Sequence, residues 1–147
     1  MPATGAVVMS AAKKQIFVIE DNDADAVLIE EALSTAVCLN CEVTRFIDGV
    51  EAMSVLSGRE ERLPDVILLD LNMPGSDGLD ILRRIRNTPR LAHVRVGILT
   101  GSRASGDESR ASIIGASRYV HKPLSYDEFV SGVRRAVEEM LEEGPCS

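Results

Sequence analysis

Val66-Ile67-Leu68-Leu69-Asp70-Leu71-Asn72-Met73-Pro74 is the stretch on which the fold turns. Four aliphatic residues follow one another with no polar residue between them, bounded by Pro64 before and Asp70 after. A strand that shows no alternation needs cover on both faces, and such strands belong to parallel sheets. The run therefore reads as the central strand of an α/β protein. It ends on a carboxylate and passes into Met73-Pro74-Gly75-Ser76-Asp77-Gly78, a segment dense in turn formers.

Working outward, the same alternation of short apolar runs and helical stripes continues in both directions. Upstream, Ile16 to Ile19 is a first strand, and Leu28, Ile29, Ala32, Leu33 and Ala36 fall at helical spacing, with Asn22 or Asp23 placed to cap the helix. Glu42 to Ile47 alternates as an edge strand does. Ala52, Met53, Val55 and Leu56 make a short second helix, and Ser57-Gly58 with Arg59 to Arg62 make a loop. Downstream, Ile81, Leu82 and Ile85 face inward while Arg83, Arg84 and Arg86 face outward. Val94 to Leu99 is the fourth strand, Asp107 to Gly115 a short Ser-rich helix that Gly115 ends, and Arg118 to His121 the fifth strand. Phe129, Val133, Val137 and Leu141 recur every four residues, with Val130 and Met140 beside them, in a last helix that stops near Gly144-Pro145. Five β/α units predict a doubly wound (βα)5 flavodoxin-like sandwich, for which strand order 2-1-3-4-5 is one of two common solutions. The expected organisation is a loose arm over residues 1–12, one domain over 13–143 and a tail over 144–147.

Composition narrows the function. With 147 residues, 45% hydrophobic and 27% charged, the chain is globular rather than fibrous or disordered. Its 23 acidic residues against 16 Lys and Arg give a net charge of −7, which argues against direct contact with DNA or RNA. No apolar run reaches the roughly 20 residues that span a bilayer, and no signal-peptide pattern opens the chain, so a cytoplasmic protein is expected. Three cysteines, Cys38, Cys41 and Cys146, suit free thiols better than a disulfide framework. The Cys38-x-x-Cys41 spacing lacks two further zinc ligands nearby, and it does not open a helix after a strand as a redox pair would.

In an open parallel sheet, ligands bind beyond the carboxyl ends of the strands, near the switch in strand order. Here the first strand ends in Glu20-Asp21, the third in Asp70, the fourth in Thr100 and the fifth in Lys122. The predicted order makes these strands neighbours. Clustered carboxylates repel unless a cation or a raised pKa relieves them, and an all-oxygen set selects a hard ion such as Mg²⁺. A carboxylate beside Mg²⁺ can attack phosphorus and form an acyl phosphate. Lys122 would then pair with one phosphoryl oxygen and the Thr100 hydroxyl with another.

These residues resemble a known family, the receiver domains of two-component response regulators, in the CheY-like single-domain form. The resemblance covers about Gln15 to Glu143. It rests on Val18-Ile19-Glu20-Asp21-Asn22, Leu68-Leu69-Asp70-Leu71-Asn72-Met73-Pro74 with Asp77-Gly78, Leu99-Thr100-Gly101, Gly115-Ala116-Ser117 and Tyr119-Val120-His121-Lys122-Pro123. It implies that Asp70 accepts a phosphoryl group from a histidine kinase. It also implies that Asp21 holds Mg²⁺ directly, Glu20 through water, and Asn72 through its backbone carbonyl. Tyr119 matches the family's aromatic switch, which turns inward as Thr100 moves, and the Lys122-Pro123 bond is expected cis. Glu20 departs from the Asp of many members but keeps the charge. The opening Glu20-Asp21-Asn22 with Asp25, the charged Arg59 to Arg62 insertion and Asp70-Leu71-Asn72-Met73-Pro74 look more like the single-domain regulators paired with phytochrome-type histidine kinases than like CheY itself. The fourth and fifth helices and the fifth strand would form the surface for a downstream protein target or a homodimer.

Singly, each residue has a plainer reading: Asp70 as a loop cap, Tyr119 as a packed strand residue, Lys122 as a surface charge, and the Arg83, Arg84, Arg86, Arg90, Arg134 and Arg135 side chains as solvated. His93 and His121 carry no assigned role. Three rival functions remain at this stage. A Mg²⁺-dependent phosphatase working through an aspartyl phosphate would need an acid two residues after Asp70, where Asn72 stands. A receiver that no longer switches would be a phosphate-independent interaction module, and a flavin carrier would have its phosphate repelled by the carboxylates. The favoured expectation is a signalling phospho-acceptor, not an enzyme.

Overall fold

The computed structural model describes residues 14–35, 41–58, 63–73, 78–101, 105–122 and 125–142. In chain order these form β1 (Lys14–Ile19), α1 (Asp23–Thr35), β2 (Cys41–Phe46), α2 (Gly49–Leu56), β3 (Val66–Asp70) and α3 (Gly78–Asn87), then β4 (Arg95–Thr100), α4 (Ser105–Ile114), β5 (Arg118–His121) and α5 (Tyr126–Glu142). A short 3-10 turn, Pro89–Leu91, precedes β4. The strands are parallel in the order β2-β1-β3-β4-β5, the flavodoxin-like topology. Every residue of β3 is buried, as its unbroken aliphatic run requires.

Alternation along the strands divides the core into two layers. Ile16, Val18, Val66, Leu68 and Leu99 point toward α1 and α5, where Ile29, Leu33, Phe129, Val133, Val137 and Met140 meet them. Phe17, Ile19, Ile67, Leu69, Val96 and Ile98 point the other way, onto α2, α3 and α4 through residues such as Met53, Leu56, Ile81, Leu82, Ile85 and Ala111. Each fully buried aliphatic side chain contributes about 1.5–3 kcal/mol, so the sheet is the stable platform on which the loops are carried.

The helix starts follow from short polar side chains. Asn22, rather than Asp23, caps α1, its Oδ1 accepting from the Asp25 N–H at 2.8 Å. Asp48 accepts from the Glu51 N–H at 2.7 Å to start α2. Ser125 Oγ accepts from the Glu128 N–H at 3.1 Å and donates to Glu128 Oε1 at 3.0 Å, a reciprocal cap for α5. At its far end α4 stops on Gly115, whose φ of 122° is open to glycine without penalty. Gly78 answers a different demand: a Cβ there would lie 2.6 Å from Leu71 Cα, so only glycine lets α3 start against the chain leaving β3.

Two sequence expectations are corrected. Arg86 does not face solvent: its Nε and Nη2 donate to the Gly115 carbonyl at 3.0 and 2.8 Å, and its Nη1 to the carbonyls of Val94 at 2.7 Å and Ala92 at 3.2 Å. Arg90 likewise reaches the Leu56 and Gly58 carbonyls. A flexible apolar stem lets a guanidinium on a helix flank reach chain ends that would otherwise be unsatisfied, which a count of helical faces assigns to water. Cys41, expected as a free thiol, is disulfide-bonded. The arm over residues 1–12, the tail over 144–147, Ala36, Cys38, Cys146, the 59–62 insertion, the 74–77 turn and the Lys122-Pro123 bond lie outside the described residues. Among the described residues no helix is long and apolar enough to cross a membrane.

Candidate functional site at the carboxyl edge of the sheet

β1, β3 and β4 end side by side, and the chain leaving each one carries polar groups to the same edge. Glu20 follows β1 directly and is fully buried. Its own N–H donates to the Phe46 carbonyl at 3.0 Å, and its carbonyl accepts from Arg45 Nε at 2.9 Å. The second strand thus fixes the Glu20 backbone, while Arg45 Nη1 also lies 2.9 Å from Asp23 Oδ1. Asp70 closes β3 and is 2% exposed. Asp21 is exposed at the mouth. Glu20, Asp21 and Asp70 each offer an oxygen within 4.8 Å of the others.

Lys122 enters from β5, held by its N–H to the Thr100 carbonyl at 2.7 Å. Its Nζ lies 2.6 Å from Glu20 Oε1, 2.9 Å from Asp70 Oδ2 and 3.0 Å from Asp25 Oδ2. The other oxygens are also placed: Asp70 Oδ1 accepts from the Asn72 N–H at 2.9 Å and Glu20 Oε2 from the Asn22 N–H at 3.2 Å. An open cleft of about 530 Å³ lies over these groups, bounded by Asp21, Asp25, Asp70, Asn72, Gly101 and Lys122.

The electrostatics follow from burial. Loss of water around Glu20, reinforced by its hydrogen-bonding and charge contact with Asp70, raises its pKa to about 7 despite the opposing pull of Lys122. Burial alone would lower the Lys122 pKa, but hydrogen bonds to Glu20, Asp70 and Asp25 outweigh it and push the ammonium above its ordinary range. The lysine is permanently charged, and the carboxylates around it still outnumber it.

Thr100, at the end of β4, is 2% exposed and donates from its hydroxyl to Asn72 Oδ1 at 3.2 Å; the Gly101 N–H donates to the same oxygen at 3.1 Å. The sequence assigned Asn72 only a backbone carbonyl, and this side-chain bridge between the β3 and β4 loops was not foreseen. Tyr119 stands apart from the cleft. Its ring packs partly against the α2–α4 layer, and its hydroxyl donates to the Glu108 carbonyl at 2.6 Å. Burial and the nearby Glu108 charge raise its pKa. His121 is exposed and lies 3.4 Å from Glu108, and His93 is exposed far from the cleft. The residue the sequence missed is Asp25, whose place in the first turn of a capped helix reads as an ordinary response to the helix dipole.

A doubly wound sheet with a carboxylate cluster, a hydroxyl and an ammonium gathered at its switch edge defines a class of two-component signalling modules. Residues 16–134 match the response regulator receiver domain, and the chain belongs to that family. Among solved structures it is similar to the phosphorylated cyanobacterial phytochrome response regulator RcpA, with 34% identity, TM-score 0.83, and 92% of this chain and 100% of the other covered. The Mn²⁺-bound form of response regulator Rcp1 is 31% identical with TM-score 0.79, over 88% of this chain and 95% of that one. The polar-differentiation response regulator DivK of Brucella anthropi is 29% identical over 121 residues, 82% of this chain and 94% of the relative.

Proposed function

We propose that this chain is a phosphorylation switch that takes a phosphoryl group from a histidine kinase onto Asp70 and thereby changes which protein it binds. The observation that carries the reading is the meeting, at one cleft, of a nearly buried Asp70 with a Lys122 ammonium 2.9 Å from its Oδ2. An Asp70 oxygen attacks phosphorus on the kinase's phosphohistidine, the P–N bond breaks, the imidazole leaves and takes a proton, and an acyl phosphate remains. Lys122 pairs with one phosphoryl oxygen, and Thr100 gives up Asn72 to donate its hydroxyl to another.

The oxygen-only set of Glu20, Asp21 and Asp70, three carboxylates within 4.8 Å of one another, fits a hard divalent cation. We assign Glu20, Asp21, Asp70 and the Asn72 backbone carbonyl to hold Mg²⁺, which when bound supplies positive charge against the phosphoryl oxygens. Chemistry beyond self-phosphorylation and self-dephosphorylation is not assigned to this site. A phosphatase reading loses its acid, because Asn72 occupies that position and its side chain is already engaged by Thr100 and Gly101.

A phytochrome-type kinase is the partner this reading favours, because RcpA is named a phytochrome response regulator. We place the exchange in the cytoplasm, with α4, β5 and α5 presenting Tyr119 to a downstream target or a second copy of the chain. Intact-mass analysis after incubation with Mg²⁺ and acetyl phosphate tests the core of it. The wild type should gain one phosphoryl group, and Asp70→Asn or EDTA should prevent the gain. Equal incorporation by Asp70→Asn refutes the assignment.

A further inference from the structure

An ammonium has three N–H donors, and in this structure three carboxylates stand within reach of those of Lys122. With three carboxylates packed within 3.0 Å of Nζ, a phosphoryl oxygen reaches the ammonium only by crowding one of them aside. The three are not equivalent. Glu20 is fully buried and Asp70 has 3% of its side chain exposed, so neither can find water when released. Asp25 is 26% exposed, makes the longest of the three contacts and stands at the mouth of the cleft. Water can replace the ammonium at Asp25 at little cost.

Asp25 is also anchored. The Asn22 side chain accepts its N–H at 2.8 Å, which pins the first turn of α1 and sets the carboxylate toward β5. Its neighbours Glu20 and Asp70 are spoken for by the cation cluster and the acceptor chemistry, whereas Asp25 lies outside that cluster.

We propose that Asp25 is a positioning residue that holds the Lys122 donor a phosphoryl oxygen will take, and so competes with the incoming phosphoryl group until that group displaces it. The inference rests on Asp70 being the acceptor. Phosphorylation exchanges the Lys122–Asp25 contact for a Lys122–phosphoryl contact, with no further bond made or broken. In the resting protein the same contact keeps the ammonium aimed at the acceptor instead of at solvent.

The test compares the wild type, Asp25→Asn and Asp25→Glu as full chains. One arm follows the ¹⁵N resonance of the Lys122 ammonium and its proton exchange without any phosphodonor. The other measures phosphorylation by acetyl phosphate with Mg²⁺ as a function of donor concentration. Asp25→Asn should shift the lysine resonance, quicken its exchange and lower the half-saturating donor concentration about threefold, as expected for a partly exposed ion pair, with the limiting rate unchanged. Asp25→Glu should restore the wild-type values in both arms. A lysine resonance unmoved by Asp25→Asn overturns the proposal, even where the donor requirement falls, because the carboxylate then acts only by repelling anions. An unchanged or higher donor requirement in Asp25→Asn overturns it as well. If the wild type itself gains no phosphate from any donor, the acceptor reading falls. The lysine resonance then decides alone whether Asp25 holds Lys122.

Discussion

Glu20 makes the cation affinity of this site depend on pH in a calculable way. Its carboxyl, raised to about 7 chiefly by burial, must be ionised to serve a divalent cation, and binding therefore expels a proton whenever one is present. The ionised fraction is about one-tenth at pH 6 and about nine-tenths at pH 8, so Mg²⁺ affinity should rise about tenfold across that interval. At pH 7 each ion bound should release about half a proton. The sign for the fold runs the other way. A carboxyl whose folded pKa exceeds its unfolded value stabilises the folded state when protonated, so the metal-free protein should lose stability as pH rises from about 4.5 to 7, by up to about 3 kcal/mol. Calorimetric titration with Mg²⁺ in two buffers of different ionisation enthalpy gives affinity and proton count together. Glu20→Gln should bind more weakly and with no pH dependence over the same range. An affinity constant from pH 6 to pH 8 in the wild type, with no proton released, refutes the reasoning.

Other outcomes follow from groups that do not line the cleft. Arg86→Ala removes every donor to the Gly115, Val94 and Ala92 carbonyls and should cost about 2–4 kcal/mol in urea denaturation, with Arg86→Lys recovering only part because an ammonium cannot span all three. Gly78→Ala should destabilise by about 1–3 kcal/mol, because the added methyl meets backbone at Leu71 rather than a side chain that can turn aside. A change below 0.5 kcal/mol in either series would show that the chain relaxes there.

The sheet was legible because each buried strand carries an aliphatic run, and β3 carries one with no polar interruption. Where residues face both ways, the reading shifted: β1 begins at Lys14 rather than Ile16 because Lys14 and Gln15 continue the ladder opposite Cys41 and Glu42, polar pairing that hydrophobicity does not report. β4 likewise runs to Thr100, one residue past its last aliphatic side chain. The α4 helix begins at Ser105 instead of Asp107, and Ala111 is its buried hydrophobic residue, too small a stripe to mark a helix by period. In the site, Glu20, Asp21, Asp70, Thr100 and Lys122 were placed together because strand ends in a parallel sheet converge. Asp25 and the Asn72 side chain were not, since their partners come from strands far along the chain and nothing in local spacing links them. Arg86 was misread because a charge on a helix flank looks the same in sequence whether it meets water or carbonyls.

The two fastenings of α4 differ in strength. At its carboxyl end the Arg86 guanidinium grips Gly115 with two hydrogen bonds and the chain leading into β4, at Ala92 and Val94, with two more. Further toward its amino end, the Tyr119 hydroxyl holds the Glu108 carbonyl, and His121 stands 3.4 Å from the Glu108 carboxylate. A rod clamped at one end and latched at one residue nearer the other pivots when the latch opens; it does not slide. Displacement would then be smallest at Gly115 and grow toward Ser105, which is the end nearest Thr100 along the chain. The leverage runs from the cleft outward, with the clamp as its fulcrum.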